Sequence, residues 1–153
     1  MALDIKIKTN TKALSKNIGK FQSRLTRAID KGVKQAGFQL LDIIRTKTAK
    51  GVDARDVPFA QYSKSYIKQL EREGKPLKVD LFYSGRMLGS LSSRKTGKFK
   101  ATIGFNNSQM RQRALFNQVL NEPKREFFGF NDRTEQIISK QFNRFVKKEL
   151  ERI

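Results

Sequence analysis

A chain of 153 residues is about one domain long, and folding at that size buries roughly 70% of the surface the unfolded chain exposes. Apolar residues make up 37% of it, twelve Phe among them, which is enough for a core at the polar end of the folding range. Lys and Arg number 33 against 14 Asp and Glu, a net +19 that attracts polyanions or acidic protein faces, and the lack of Cys and His excludes disulfides, thiolate or imidazole metal sites and the commonest general base.

Leu3, Ile5 and Ile7 alternate with Asp4, Lys6 and Lys8, the period-two pattern of a short half-buried strand. This N-terminal stretch lacks the apolar run of a signal peptide, and no window approaches the roughly 18 apolar residues that span a bilayer, so a soluble protein is expected. Thr9-Asn10-Thr11 supplies helix-capping residues. Apolar positions then recur every three or four residues at Leu14, Ile18, Phe21, Leu25, Ala28/Ile29, Val33, Ala36, Leu40 and Ile43/Ile44, which predicts one long amphipathic helix ending near Gly51. Gly32 and Gly37 interrupt it and mark either a bend or a close contact with a neighbouring element.

Residues 51–62 read as a loop, with Val57-Pro58 forcing an extended step. A short helix follows from about Ser63 to Glu73, stopped by Gly74 and Pro76, and Ser84 to Leu91 reads as a capped helical turn leading into a strand. Ser92–Lys95 and Phe99–Phe105 flank Thr96-Gly97 as a β-hairpin, with Phe99 and Phe105 expected in the core of the strand pair. Residues 108–120 are helix-permissive and Pro123 closes them; Arg125–Phe130 reads as a strand. Asp132-Arg133-Thr134-Glu135 fits a capping box with Asp132 as N-cap, ahead of a C-terminal helix striped by Ile137/Ile138, Phe142, Phe145/Val146, Leu150 and Ile153. The expectation is a single α+β domain, 1–153, with a long N-terminal and a C-terminal helix packed on a small, mainly antiparallel sheet. The stretches near 51–62 and 92–100 are expected to be mobile loops.

The charge is not carried by a tail: residues 1–75 hold 17 basic and 7 acidic side chains, and residues 76–153 hold 16 and 7. Between Asp80 and Glu122 there is no carboxylate, while Arg86, Arg94, Lys95, Lys98, Lys100, Arg111 and Arg113 all fall there. This acid-free stretch, 81–121, is either a solvated face or a surface that meets phosphates or an acidic partner. Phe99, Phe105 and Phe116 interleave with the basic residues in the manner of a single-strand nucleic-acid platform, although core packing explains Phe99 and Phe105 more simply. Asp53, Asp56 and Asp80 could ligate a metal only through oxygen, and in so basic a chain they read as solvated or salt-bridged. Gly85-Arg86-Met87-Leu88-Gly89-Ser90 lacks the Lys of a phosphate-binding loop. No spacing supports a catalytic pair, so no enzymatic activity, cofactor, metal or small-molecule substrate is expected.

Four segments in order carry a resemblance: Val57-Pro58-Phe59-Ala60-Gln61-Tyr62-Ser63; Leu81 to Leu91 with Ser84-Gly85-Arg86 and Leu88-Gly89-Ser90-Leu91; Ala101-Thr102-Ile103-Gly104-Phe105; and Arg125-Glu126-Phe127-Phe128-Gly129-Phe130 before the last helix. Together they resemble the phage virion morphogenesis family, the tail-completion and neck proteins of tailed bacteriophages, over roughly residues 50–150. The chain departs from the family pattern at Gln118-Val119-Leu120-Asn121, which lacks the usual Gly, and at Glu126, where Pro is common.

The resemblance implies a non-catalytic virion protein, assembled in the host cytoplasm into a hexameric or dodecameric ring at the head–tail junction or tail end. Its partners would be other neck or tail proteins, with non-specific contact to genomic DNA left open and no membrane. It gives the motif residues structural roles, with Arg125–Phe130 as a strand and Gly129 permitting close backbone approach. The alternative is a basic nucleic-acid-binding protein that uses stretch 81–121. If the chain is a ring subunit, the hairpin around Thr96-Gly97 is expected to face the DNA channel or an acidic neighbouring ring.

Overall fold

A computed structural model describes residues 11–152. The expected strand at Leu3–Lys8, the caps before Thr11 and the last residue of the C-terminal stripe lie outside the described residues. The predicted helix is α1, Thr11–Ala49, a single continuous helix. It is followed by α2 (Lys64–Arg72), α3 (Arg86–Gly89), a hairpin of β1 (Leu91–Gly97) and β2 (Lys100–Phe105), α4 (Ser108–Leu115) running into a π-helical turn (Phe116–Leu120), and α5 (Asp132–Glu151). The architecture is α+β: two long helices and one two-stranded antiparallel sheet.

α5 packs antiparallel along α1. The Lys47 ammonium donates to Thr134 Oγ1 at the start of α5, and near its end Arg24 donates to the Leu150 carbonyl and Lys31 pairs with Glu149. Gly32 and Gly37 are contact glycines. A Cβ at Gly32 would lie 2.8 Å from the Phe142 ring, and one at Gly37 would lie 2.4 Å from Ser93 Oγ and 3.1 Å from Ala101 Cβ. One glycine therefore admits α5 and the other admits the hairpin, and each offsets its helix-propensity cost of roughly 1 kcal/mol with a closer interface. Arg45 secures the base of the hairpin by donating to the Leu88 and Leu91 carbonyls at 3.2 and 2.7 Å.

The four resembling segments converge on one core with the C-terminal half of α1. Phe59, Leu88, Leu91 and Phe127 are buried there with Leu41 and Ile44, and Tyr62, Ile103, Phe105 and Phe128 pack against them. Phe105 and Phe128 meet with ring centroids 5.6 Å apart. Ser63 caps α2 by accepting from the Tyr66 N–H, Ser90 Oγ donates to the Met87 carbonyl, and Pro58 bridges back to Val52. Gly85 stands before α3 at φ +69, where a side chain would be strained and would meet the Phe82 ring. Gly104 pairs with Ser92 in the hairpin.

Four expectations are corrected. Arg125–Phe130 is not a strand: it turns on itself, the Phe127 N–H donating to the Arg125 carbonyl, and its other backbone groups are met by the π-helical turn and by the loop around Ala54. The Arg125 N–H donates to the Asn117 carbonyl, the Glu126 carbonyl accepts from Ala54, and the Gln118 side chain both accepts from the Phe128 N–H and donates to its carbonyl. Gly129 does not serve close approach, since a Cβ there would sit 3.4 Å from Ala54 Cβ, an ordinary contact. The N-cap of α5 is Asn131, whose Oδ1 accepts from the Thr134 N–H at 3.0 Å; Asp132 and Glu135 instead sit in the first turn, where their charge suits the helix dipole. Phe99 is not a core strand residue. The turn is Lys98-Phe99, with Phe99 at φ +58, and the ladder skips a residue between Lys95 and Gly97.

Candidate interaction site

The seven basic residues of the acid-free stretch are all exposed, but they do not form one patch. Arg94, Lys95, Lys98 and Lys100 ride the hairpin, whereas Arg86 starts α3 and Arg111 and Arg113 project from α4. Lys98 and Lys100 at the tip lie most of a strand length from α4, roughly 17 Å for the five steps from Lys100 to Phe105 at ~3.3 Å each, while Arg94 reaches back to Asn106 beside the α4 N-cap. The stretch is also acid-free only in sequence. Asp30 of α1 lies under the hairpin tip, where its carboxylate pairs with the Lys95 ammonium and accepts from the Phe99 N–H at 3.3 Å. The Lys95 hydrogen bond, with the Phe99 N–H, holds the Asp30 carboxyl below its ordinary range. Arg94 is held by Asn106 Oδ1 and Ser92 Oγ. The hairpin tip thus presents Lys98 and Lys100 beside an exposed Phe99 ring, whose centroid is 5.1 Å from the Lys98 ammonium.

The three loop aspartates are engaged by protein groups. Asp53 accepts from the Arg55 and Val57 N–H groups, Asp56 pairs with Lys47 at 2.7 Å, and Asp80 accepts from the Phe82 N–H. Among the described residues, no three His, Cys, Asp or Glu side chains cluster to hold a metal ion. Lys47, which in sequence is one basic residue among many, ties the loop to α1 and α5 through Ala54, Asp56 and Thr134.

Arg125 is a second such residue. Arg125 is 5% exposed and, among the described residues, has no carboxylate partner; its guanidinium donates to the Ala60 and Gln61 carbonyls and lies 5.1 Å from the Tyr62 ring centroid. It therefore locks the fourth resembling segment to the first. Beside it opens a cleft of about 460 Å³ lined by all three tyrosines of the chain (Tyr62, Tyr66 and Tyr83) together with Arg113 and Asn117. Burial raises the Tyr62 and Tyr66 hydroxyls above their ordinary pKa, so both stay protonated donors at neutral pH. Tyrosines and arginines around a concave site suit recognition of a partner side chain or an anionic group.

Two apolar surfaces lie further along the chain. Leu115, Phe116, Val119 and Leu120 form a ridge on α4 and the π-helical turn and are each 48–64% exposed. On the other side of the Gln118–Phe128 bridge, a groove of about 490 Å³ runs between α1 and β2, walled by Phe128–Phe130 and Ile138. Apolar exposure of this extent marks interaction surfaces in soluble proteins. No described helix is long and apolar enough to cross a membrane. Comparison with family models, characterised proteins and solved structures finds no match to this chain.

Proposed function

We propose that this chain is a non-enzymatic structural protein of a tailed-phage virion, one subunit of a ring at the head–tail junction that completes or terminates the tail or joins neck to tail. The family resemblance supplies the identity. The observation that carries the assembly is the apolar ridge Leu115–Leu120, with the groove beyond the Gln118–Phe128 bridge: a subunit with two such surfaces gains by covering both. The convergence of the four resembling segments on one core also supports reading them as a single inherited unit. Native mass spectrometry and electron microscopy of the purified protein test the proposal, with immunodetection in virions as the second arm. A closed ring present in particles is expected; a strict monomer absent from particles removes the reading.

The hairpin tip favours a second reading, nucleic-acid binding, because Lys98 and Lys100 flank an exposed aromatic ring. It predicts duplex binding whose log–log salt slope has a magnitude of about 0.9 for each phosphate the protein neutralises. Replacing Arg94, Lys98 and Lys100 with Gln flattens the slope, while Lys95→Gln does less because Asp30 already holds that ammonium. Undetectable binding at low salt excludes this reading.

A further inference from the structure

The groove beside β2 runs along an open strand edge. Four consecutive strand residues, Lys100 to Ile103, line it. Strand side chains alternate between the two faces of a sheet, so a groove touched by four in a row lies along the strand's edge. β2 has β1 on one side and no strand on the other among the described residues, which leaves that edge's backbone N–H and C=O groups to be met by whatever enters. The floor is α1 from Val33 to Ile44, kept low by Ala36 and Gly37, and the far wall is Phe128–Phe130. A strand edge beside a helix, over an apolar floor, is the geometry that binds peptides by strand addition.

The occupant this receptor fits is in the chain itself. Leu3-Asp4-Ile5-Lys6-Ile7-Lys8 alternates apolar and polar residues without interruption and matches β2 in length, six residues against six. On the edge of β2 it would point Leu3, Ile5 and Ile7 at the α1 floor and Asp4, Lys6 and Lys8 at water.

The segment of the same copy cannot reach. α1 rises about 1.5 Å per residue, so Val33, the near end of the floor, lies roughly 33 Å along the axis from Thr11. Leu3 is eight residues from Thr11, and a fully extended chain of that length spans at most about 29 Å; Ile7, four residues away, reaches only about 14 Å. We propose that the groove takes the Leu3–Lys8 segment of a second copy as a third strand on β2. Arm and groove lie on different parts of each copy, so the contact is head-to-tail and propagates until it closes a ring or runs on as a filament. This rests on the ring reading above and gives it a joint.

The chain has no cysteine, so thiols can be placed singly. Lys6→Cys and Thr102→Cys sit on the outward face of the arm and of β2, and a short bismaleimide tolerates a slip of one residue pair. Mixing the two single variants is expected to give a cross-linked product of twice the chain mass, and the double variant a ladder of covalent oligomers. Adding Ile5→Asp keeps both thiols but places a carboxylate on the apolar floor, and most of the product is expected to disappear. A double variant that closes only on itself overturns the proposal, as does a ladder unaffected by Ile5→Asp.

Native mass spectrometry of the unmodified protein separates this inference from the ring reading. An intact ring without the arm–groove cross-link removes the inference alone. The cross-link with open filaments removes the ring and keeps the joint, and a monomer without cross-link removes both.

Discussion

The two halves of α1 share one sequence pattern and meet opposite fates. Toward its C-terminus, Leu41, Ile44 and Thr48 are buried in the core that gathers the four resembling segments. Toward its N-terminus, residues 15–23 are all exposed, and Ile18 and Phe21 keep more than half of their surface. The three-and-four spacing runs through both halves unchanged. Periodicity therefore tells which face of a helix is apolar, but not whether anything covers it, because cover comes from elements distant in sequence.

The contrast can be tested by substitutions at each end. The largest effect is expected for Phe127→Ala, which empties the centre of the covered end, where the ring is 1% exposed; stability in urea denaturation should fall by about 3–5 kcal/mol. Arg125→Met comes next at about 2–3 kcal/mol, because it leaves the Ala60 and Gln61 carbonyls without their charged donor. An effect under about 0.5 kcal/mol at either position would mean that this end is not the interlocked unit described.

Two glycines of α1 should then separate by sign. Gly37→Ala presses on Ser93 and Ala101 and should cost about 1–2 kcal/mol despite the better helix former. Gly19→Ala, with nothing within 4 Å of the new Cβ, should stabilise by about 0.5–1 kcal/mol. At the bare end, Ile18→Lys with Phe21→Glu should move monomer stability by no more than about 0.5 kcal/mol. The same pair should weaken any oligomer that covers this end, as read by light scattering.

The smallest effect concerns Asp30, which lies where the covered and bare halves meet. Its folded pKa is lowered, chiefly by the Lys95 hydrogen bond, so its contribution is complete above the ordinary value of 3.8 and fades as pH falls through the lowered one. Amide exchange at Phe99, followed by NMR, should lose protection on acidification below that value, and Asp30→Asn should remove the pH dependence. A Phe99 amide that is indifferent to both would detach the hairpin tip from α1.

Much of the fold is legible in the sequence because it depends on local rules. The stripe of α1, the Gly74 and Pro76 stop after α2, the helical turn after Gly85 and the existence of the hairpin all follow from neighbouring residues. Arg125–Phe130 reads as a strand because its aromatic residue types suit one, but the chain there is not extended, since the Phe127 N–H donates back to the Arg125 carbonyl. Its remaining backbone hydrogen bonds go to Asn117, Ala54 and Gln118, partners that no local pattern announces. Asn131 and Asp132 are both good caps, and only the position of the first helical turn chose Asn131. The acid-free stretch is legible as a run of sequence but not as a surface, because Asp30 reaches it from 65 residues away.

The sequence by itself determined the class of the protein, a basic α+β domain with one dominant helix, because composition and periodicity are properties of the chain alone. Only the tertiary structure decided which basic groups are already answered, which apolar residues lie bare, and that Arg125 is a buried clamp and not a surface charge. Those outcomes depend on which distant groups arrive within a few ångströms, where burial and hydrogen bonding act.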